Sequence, residues 1–316
     1  MIQPTEPESP KALAGRVAIV TGASRGLGKA IAIELGAAGA TVYVTARPPQ
    51  ASTAHLGTPE STADEVTQAG GKGVAVHCDQ ADDEQIAALM RRVEREQGRL
   101  DLLVNNAFPI PELQQTLEHK FWEMPVDLWR PIIDIGLRSH YVSSVHAMPM
   151  LIKTRGLVVN ISSAAGQIYF GSVVYGIGKA GMDRMAHDMA IELQGTGVTA
   201  VSVWPGVVCT ELIDQSIRNG QPELLQGLLR MATAHFKDFD PWSQPDAPRG
   251  RDAAETPSYV GRAVVALATD PNVNEKSGRT LAVSLLADEY GFTDVNGKRP
   301  DGFHFRLRRY WPNLNG

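Results

Sequence analysis

The chain has 316 residues, 43% of them hydrophobic and 21% charged, with a net charge of -5, enough for one large or two ordinary globular domains around a sizeable core. This slight acidity leaves no clustered basic surface for nucleic acid, and the two cysteines, Cys78 and Cys209, lie too far apart in unlike contexts to make a disulfide framework or a spaced metal site. No uncharged apolar run reaches membrane-spanning length, and "MIQPTEPESP" carries acids and prolines where a signal peptide needs basic and apolar residues, so a cytoplasmic location is expected.

Residues 1–14 read as a flexible arm. The first predicted strand, "RVAIVTG" (16–22), runs into "TGASRGLGKA" and then into a helical pattern. Gly22, Gly26 and Gly28 allow a tight turn in which backbone amides approach a pyrophosphate at the positive end of a helix. Gly22, Ser24, Arg25, Gly26, Leu27 and Gly28 are therefore the candidate phosphate-binding set. The second strand, "TVYVTA" (41–46), ends in Ala46-Arg47. An acid at that point would accept from a ribose 2'-hydroxyl and repel a 2'-phosphate. Here there is no acid, and Arg25 and Arg47 can clamp a 2'-phosphate between them, so NADP(H) is preferred over NAD(H). A helix start follows, with Thr58 as cap, Pro59 in the first position and Glu60 at the positive dipole end.

Further strands are predicted at 73–78, 100–106, 156–162, 197–204 and 279–286, with helical periodicity between them. Seven apolar strands alternating with helices mean a parallel sheet covered on both faces, a doubly wound α/β domain. Tyr175 and Lys179 fall four residues apart at the start of a helical pattern and share a face. A phenol has a pKa of about 10, and an ammonium within about 4 to 6 Å lowers it; reaching about 7 takes roughly 4 kcal/mol. Tyr175 is thus a candidate general acid, and a hydroxyl from Ser162 or Ser163 can hydrogen-bond the same substrate oxygen. Three connections are long: 47–58, 107–126 and 209–256, the last read as a lid over the site. Phe108, Trp122, Tyr169, Phe170, Trp204, Leu224, Leu228 and Met231 are candidate pocket residues for an apolar ketone, aldehyde or alcohol of some size. The basic, aromatic end of the 291–316 tail reads as packing on its own domain or on a partner subunit.

The motifs "TGASRGLG" (21–28), "CD" (78–79), "NNA" (105–107), "NISS" (160–163), "YGIGK" (175–179) and "WPGVVCT" (204–210) occur in the order found in the short-chain dehydrogenase/reductase family, which the chain resembles over about 15–290. The resemblance implies a single Rossmann-type domain and an NADPH-dependent carbonyl reductase, reversible to an alcohol dehydrogenase. It implies that Asp79 faces the adenine, that Asn105 and Ala107 back a ribose, and that Pro205, Val208 and Thr210 lie along the nicotinamide. It also selects Ser163 over Ser162, gives Lys179 both the ribose and the tuning of Tyr175, and implies a homo-oligomer, dimer or tetramer. Two positions depart from the family pattern. Gly136 stands where a fourth catalytic residue, an asparagine, is usual, leaving room for a water; Phe108 stands where a glycine is usual. Gly136 motivates the alternative of an NADP(H)-binding sensor or scaffold with little turnover.

Overall fold

The computed structural model describes residues 11–48, 57–109, 119–220 and 254–300. Seven strands form one sheet: β1 (Val17–Thr21), β2 (Thr41–Ala46), β3 (Lys72–His77), β4 (Leu102–Asn105), β5 (Leu157–Ile161), β6 (Thr199–Trp204) and β7 (Thr280–Ala282). Their order is β3-β2-β1-β4-β5-β6-β7 and every pairing is parallel. This is the seven-stranded doubly wound sheet expected from the alternating runs.

The helices among the described residues are α1 (Gly26–Ala37), α2 (Pro59–Gln68), α3 (Asp83–Gln97), α4 (Ser139–Thr154), α5 (Val173–Glu192), α6 (Glu211–Arg218), α7 (Pro257–Thr269) and α8 (Val283–Tyr290), with a π-helical segment, Pro131–Arg138, leading into α4. Successive strand residues point to opposite faces, so two cores result. Ala18, Val20, Val42, Val44, Val104 and Val159 meet α1, α2, α7 and α8. Val17, Ile19, Tyr43, Leu103 and Val158 meet α3 and α4 on the other face. The start of α2 is built as its residues dictate, with Thr58 accepting from Ser61 N–H, Ser61 returning a bond to Thr58 N–H, and Pro59 in the first turn.

Three boundaries shift. The run 279–286 is a strand only over Thr280–Ala282; from Val283 the chain turns into α8, because "LLADE" is rich in helix formers, with Leu286 joining the core cluster that holds α7 and Leu285 packing with Trp204. Residues 11–14, read with the arm, are packed: Leu13 is 2% exposed, its N–H donates to Ala38 O, and Lys11 Nζ donates to the carbonyls of Ala69 and Gly70. The tail also begins inside the domain, since Asp294 is buried and binds Thr256 through both backbone and side chain, while Phe292 packs against Tyr259. Residues 221–253, the larger part of the segment read as a lid, lie outside the described residues, as do Leu224, Leu228 and Met231 and residues 301–316.

Candidate active site

Strand β1 lies between β2 and β4, so the chain reverses its winding direction there, and the crevice at the carboxyl ends of β1 and β4 is where such sheets take ligands. Gly22 and Ala107, which follow those strands, nearly touch: a Cβ on Gly22 would sit 2.7 Å from Ala107 Cα. A Cβ on Gly28 would meet Asn106 Nδ2 at 2.4 Å. Bare backbone is therefore required at both positions. The turn is sewn to β4 by Asn106, whose Nδ2 donates to Thr21 O at 2.8 Å and Gly22 O at 3.1 Å, while its N–H donates to Thr21 Oγ1. Asn106 carries no role in the sequence reading, although it is the middle residue of the "NNA" motif.

At the start of α1 the Gly26 N–H donates to a carboxylate oxygen of Glu211 at 3.0 Å. A side-chain oxygen thus satisfies a backbone N–H of the first turn of α1. Ser24, Arg25 and Leu27 are half-buried around it. Arg47 is exposed at the end of β2, one residue beyond the buried Ala46. Asp79, just after β3, is half-buried; its N–H donates to Gln85 and its carboxylate accepts from Ala81 N–H. Asn105 is fully buried and spends its amide on His140 O, Ser144 Oγ and Asn160 Oδ1, tying β4 to α4 and β5. Pro205 and Val208 are half-buried in the loop after β6, and Thr210 precedes α6. This loop is stitched to Glu255, whose N–H and C=O bond Val207 O and Cys209 N–H and whose carboxyl accepts from Gly206 N–H.

Ser163, Tyr175 and Lys179 come together at the ends of β5 and α5. Ser162 is buried and donates to the Lys179 carbonyl, so its hydroxyl is committed to holding β5 against α5. Ser163 is half-buried, and its Oγ accepts from Ala165 N–H. Of the two serines left open by spacing, Ser163 is the one beside the tyrosine. Burial pushes the Tyr175 phenol up, and the neighbouring Ser163 hydroxyl pulls it part of the way back. The lowering anticipated from an adjacent ammonium is not seen. Lys179 is 5% exposed, and burial lowers its ammonium to about 7, against a raising effect from Asp183. Its Nζ donates to Ile161 O at 3.0 Å.

The space beside Gly136 is filled by Phe108 rather than water: a Cβ on Gly136 would lie 2.5 Å from Phe108 Cε2. The Phe108 ring meets Tyr175 edge-on with centroids 5.5 Å apart, and Phe170 approaches Tyr175 at 6.4 Å. Trp204 belongs to the core, 2% exposed, with its indole N–H donated to Asp183. Trp122 and Tyr169 are exposed. His140, unnoticed in the sequence, is fully buried and held neutral by burial, its pKa lowered to about 3; Nε2–H therefore donates to Ala107 O at 3.0 Å.

The short chain dehydrogenase family profile matches residues 16–221. The chain belongs to this family of oxidoreductases, which act on CH-OH and carbonyl groups and use a nicotinamide cofactor. Among individual proteins it is 41% identical to mouse (Mus musculus) dehydrogenase/reductase SDR family member 1, over 93% of this chain and 87% of that protein. It is 32% identical to a 3-oxoacyl-[acyl-carrier-protein] reductase of Synechocystis, over 69% of this chain and 89% of that one. A solved double mutant of a Serratia marcescens short-chain dehydrogenase/reductase superposes with a TM-score of 0.66 at 27% identity, covering 87% of this chain and 97% of that one.

Proposed function

We propose that the chain is an NADPH-dependent reductase of an apolar ketone or aldehyde, working in the cytoplasm and reversible to alcohol oxidation. The observation that carries this reading is the grouping of Tyr175 with Ser163 beside it and with Lys179, whose Nζ lies 5.7 Å from the Tyr175 ring centroid, at the carboxyl end of the sheet. The glycine turn fits a dinucleotide: Gly22 and Gly28 let the turn pack tightly against the residues after β4, and Gly26 N–H at the start of α1 takes a side-chain oxygen as acceptor. Gly22, Ser24, Arg25, Gly26, Leu27 and Gly28 would hold the pyrophosphate, Arg25 and Arg47 the 2'-phosphate, Asp79 the adenine, Asn105 and Ala107 the ribose side, and Pro205, Val208 and Thr210 the nicotinamide side. When bound, the nicotinamide supplies the hydride.

The chain's own residues supply the proton and its control. Ser163 Oγ–H donates to the substrate carbonyl oxygen and favours the charge that develops there. Tyr175 gives that oxygen its proton. Burial pushes the phenol up, so it carries its proton near neutrality and has it to give to the substrate oxygen. The Lys179 ammonium, lowered to about 7, is present in part at neutral pH to steady the phenolate left behind. Phe108 and Phe170, both close to Tyr175, give the site apolar walls that support a substrate of that character. With Ser163, Tyr175 and Lys179 all together, no specific observation favours the sensor reading.

NADPH oxidation across a panel of apolar ketones and aldehydes tests this. Tyr175→Phe is expected to lower kcat by about 10²-fold or more while leaving NADPH affinity within about twofold. Turnover at the natural rate in that variant would sink the proposed acid.

A further inference from the structure

Phe108 and Gly136 come from different elements, the loop after β4 and the π-helical segment, yet they are fitted to one another. Besides the 2.5 Å clash at Cε2, a Cβ at 136 would approach Phe108 Cδ2 at 2.8 Å, so no side chain fits there while the ring keeps its place. The ring is held from both ends of the preceding residue: Ala107 N–H donates to Thr21 Oγ1 at 3.1 Å, and Ala107 O accepts from His140. The face of the ring lies under the Lys179 ammonium, with Nζ 4.4 Å from the centroid, and its edge relation to Tyr175 is near perpendicular at 77°. Nζ has one carbonyl acceptor, Ile161 O, a soft contact to Met182 Sδ at 3.7 Å, this π face at 4.4 Å and, more distantly, the Tyr175 ring at 5.7 Å.

We propose that Phe108 is a positioning residue: its ring fills the space beside Gly136 and its π face seats the Lys179 ammonium next to Tyr175, so that positions 108 and 136 act as one size-matched pair. The pair does by packing and a cation–π contact what a polar side chain at 136 would do by hydrogen bonding. The inference rests on the reading of Tyr175 and Lys179 given above.

The titratable groups that face Lys179 are Tyr175 and Asp183 on its own helix and His140 on α4. His140 is neutral and the Asp183 carboxyl is pushed up by burial. Removing the π face therefore withdraws a favourable partner from the ammonium, and the Lys179 titration midpoint moves down.

The experiment is an NMR titration of the full chain labelled with 13Cε-lysine, with the Lys179 signal assigned by its loss in Lys179→Met. Phe108→Leu is expected to lower the midpoint by about half to one and a half pH units, while Phe108→Tyr, which keeps the π face, leaves it unchanged. If Phe108→Leu does not fold, Phe108→Met carries the same comparison. A midpoint that is unchanged or raised without the ring overturns the proposal. Thermal melts add an independent arm: Gly136→Ala is expected to lower Tm in the natural chain and to have little effect in a Phe108→Ala background, and equal costs in both backgrounds would dissolve the pair. Neither readout needs turnover, so activity that survives in Tyr175→Phe would defeat the functional reading and leave this one standing.

Discussion

Burial pushes the Tyr175 phenol up, so in the proposed reduction its proton stays in place until charge appears on the acceptor. Arg47 is exposed, and in the proposed function a bound 2'-phosphate organises it. A guanidinium bound to phosphate is worth about 1.5 to 3 kcal/mol. Arg47→Ala is accordingly expected to weaken NADPH about tenfold to a hundredfold and NADH about twofold or less, as read by fluorescence titration of each cofactor; equal losses would remove the 2'-phosphate from the proposal. Tyr175 and Lys179 were legible in the sequence because a spacing of four puts two side chains on one helical face. The contact between Phe108 and Gly136 was not, because it joins a loop to a segment far along the chain. Both departures from the family pattern stood in plain view, but only their packing shows that they answer one another. His140 escaped for the same reason, since a histidine becomes informative only when burial and a carbonyl partner fix its charge and tautomer.

Among the elements, the strands were legible to within a residue or two wherever a short apolar run was bounded by turn residues, and the Thr58 cap was legible from its own chemistry. β7 was overextended because "LAVSLL" is apolar throughout, and periodicity cannot separate a buried strand from a buried helix in so short a run. Nothing local marks Glu211 as a partner of the glycine turn. Its carboxyl group accepts from Gly26 at the α1 start; in the proposed function it gives way to a dinucleotide phosphate, so Glu211→Gln is expected to tighten NADPH severalfold in a binding titration, with the gain shrinking at high salt. Weaker binding in that variant would mean that Glu211 assists the cofactor. The loop after β6 carries a pH response. Burial pushes the Glu255 carboxyl up from 4.5 to about 8, and one of its buried oxygens has no partner among the described residues. Between those values the folded chain keeps a proton that the unfolded chain has lost, so stability contributed at low pH fades as the pH rises toward 8. Glu255→Gln, a mimic of the protonated acid, is expected to flatten the fall in Tm from pH 5 to 8 and to raise Tm at pH 8 by a few degrees. A slope identical to that of the natural chain would place the titration elsewhere.

At the scale of the molecule, α4 leaves Tyr141, Val145 and Ile152 exposed, and α5 leaves Ile177 and Ile191 exposed. Tyr141, Val145 and Ile152 recur at helical spacing along one side of α4. We propose that these faces join copies of the chain into a dimer or tetramer. The pair Val145→Glu and Ile152→Lys is expected to shift sedimentation velocity to the monomer, and a natural chain already monomeric at micromolar concentration would end the proposal. No helix among the described residues is long and apolar enough to cross a membrane. The parallel, two-faced sheet was legible because all seven strands are apolar and separated by helices, whereas the extent of packing at the two ends of the domain was not: Leu13 and Asp294 sit in stretches whose composition reads as solvent-exposed.

The shortness of β7 has a bearing on how the chain behaves in company. A sheet margin offers unpaired N–H and C=O groups on which another polypeptide can build a strand, the first step toward aggregation. Here one margin is three residues long before the backbone coils into α8 and closes its hydrogen bonds within the helix. The opposite margin, β3, sets an exposed Lys72 at its beginning and His77, paired with Glu60, at its end. A small outer strand on one side and polar, exposed ends on the other discourage edge-to-edge growth, so the proposed association of copies falls to the helical faces.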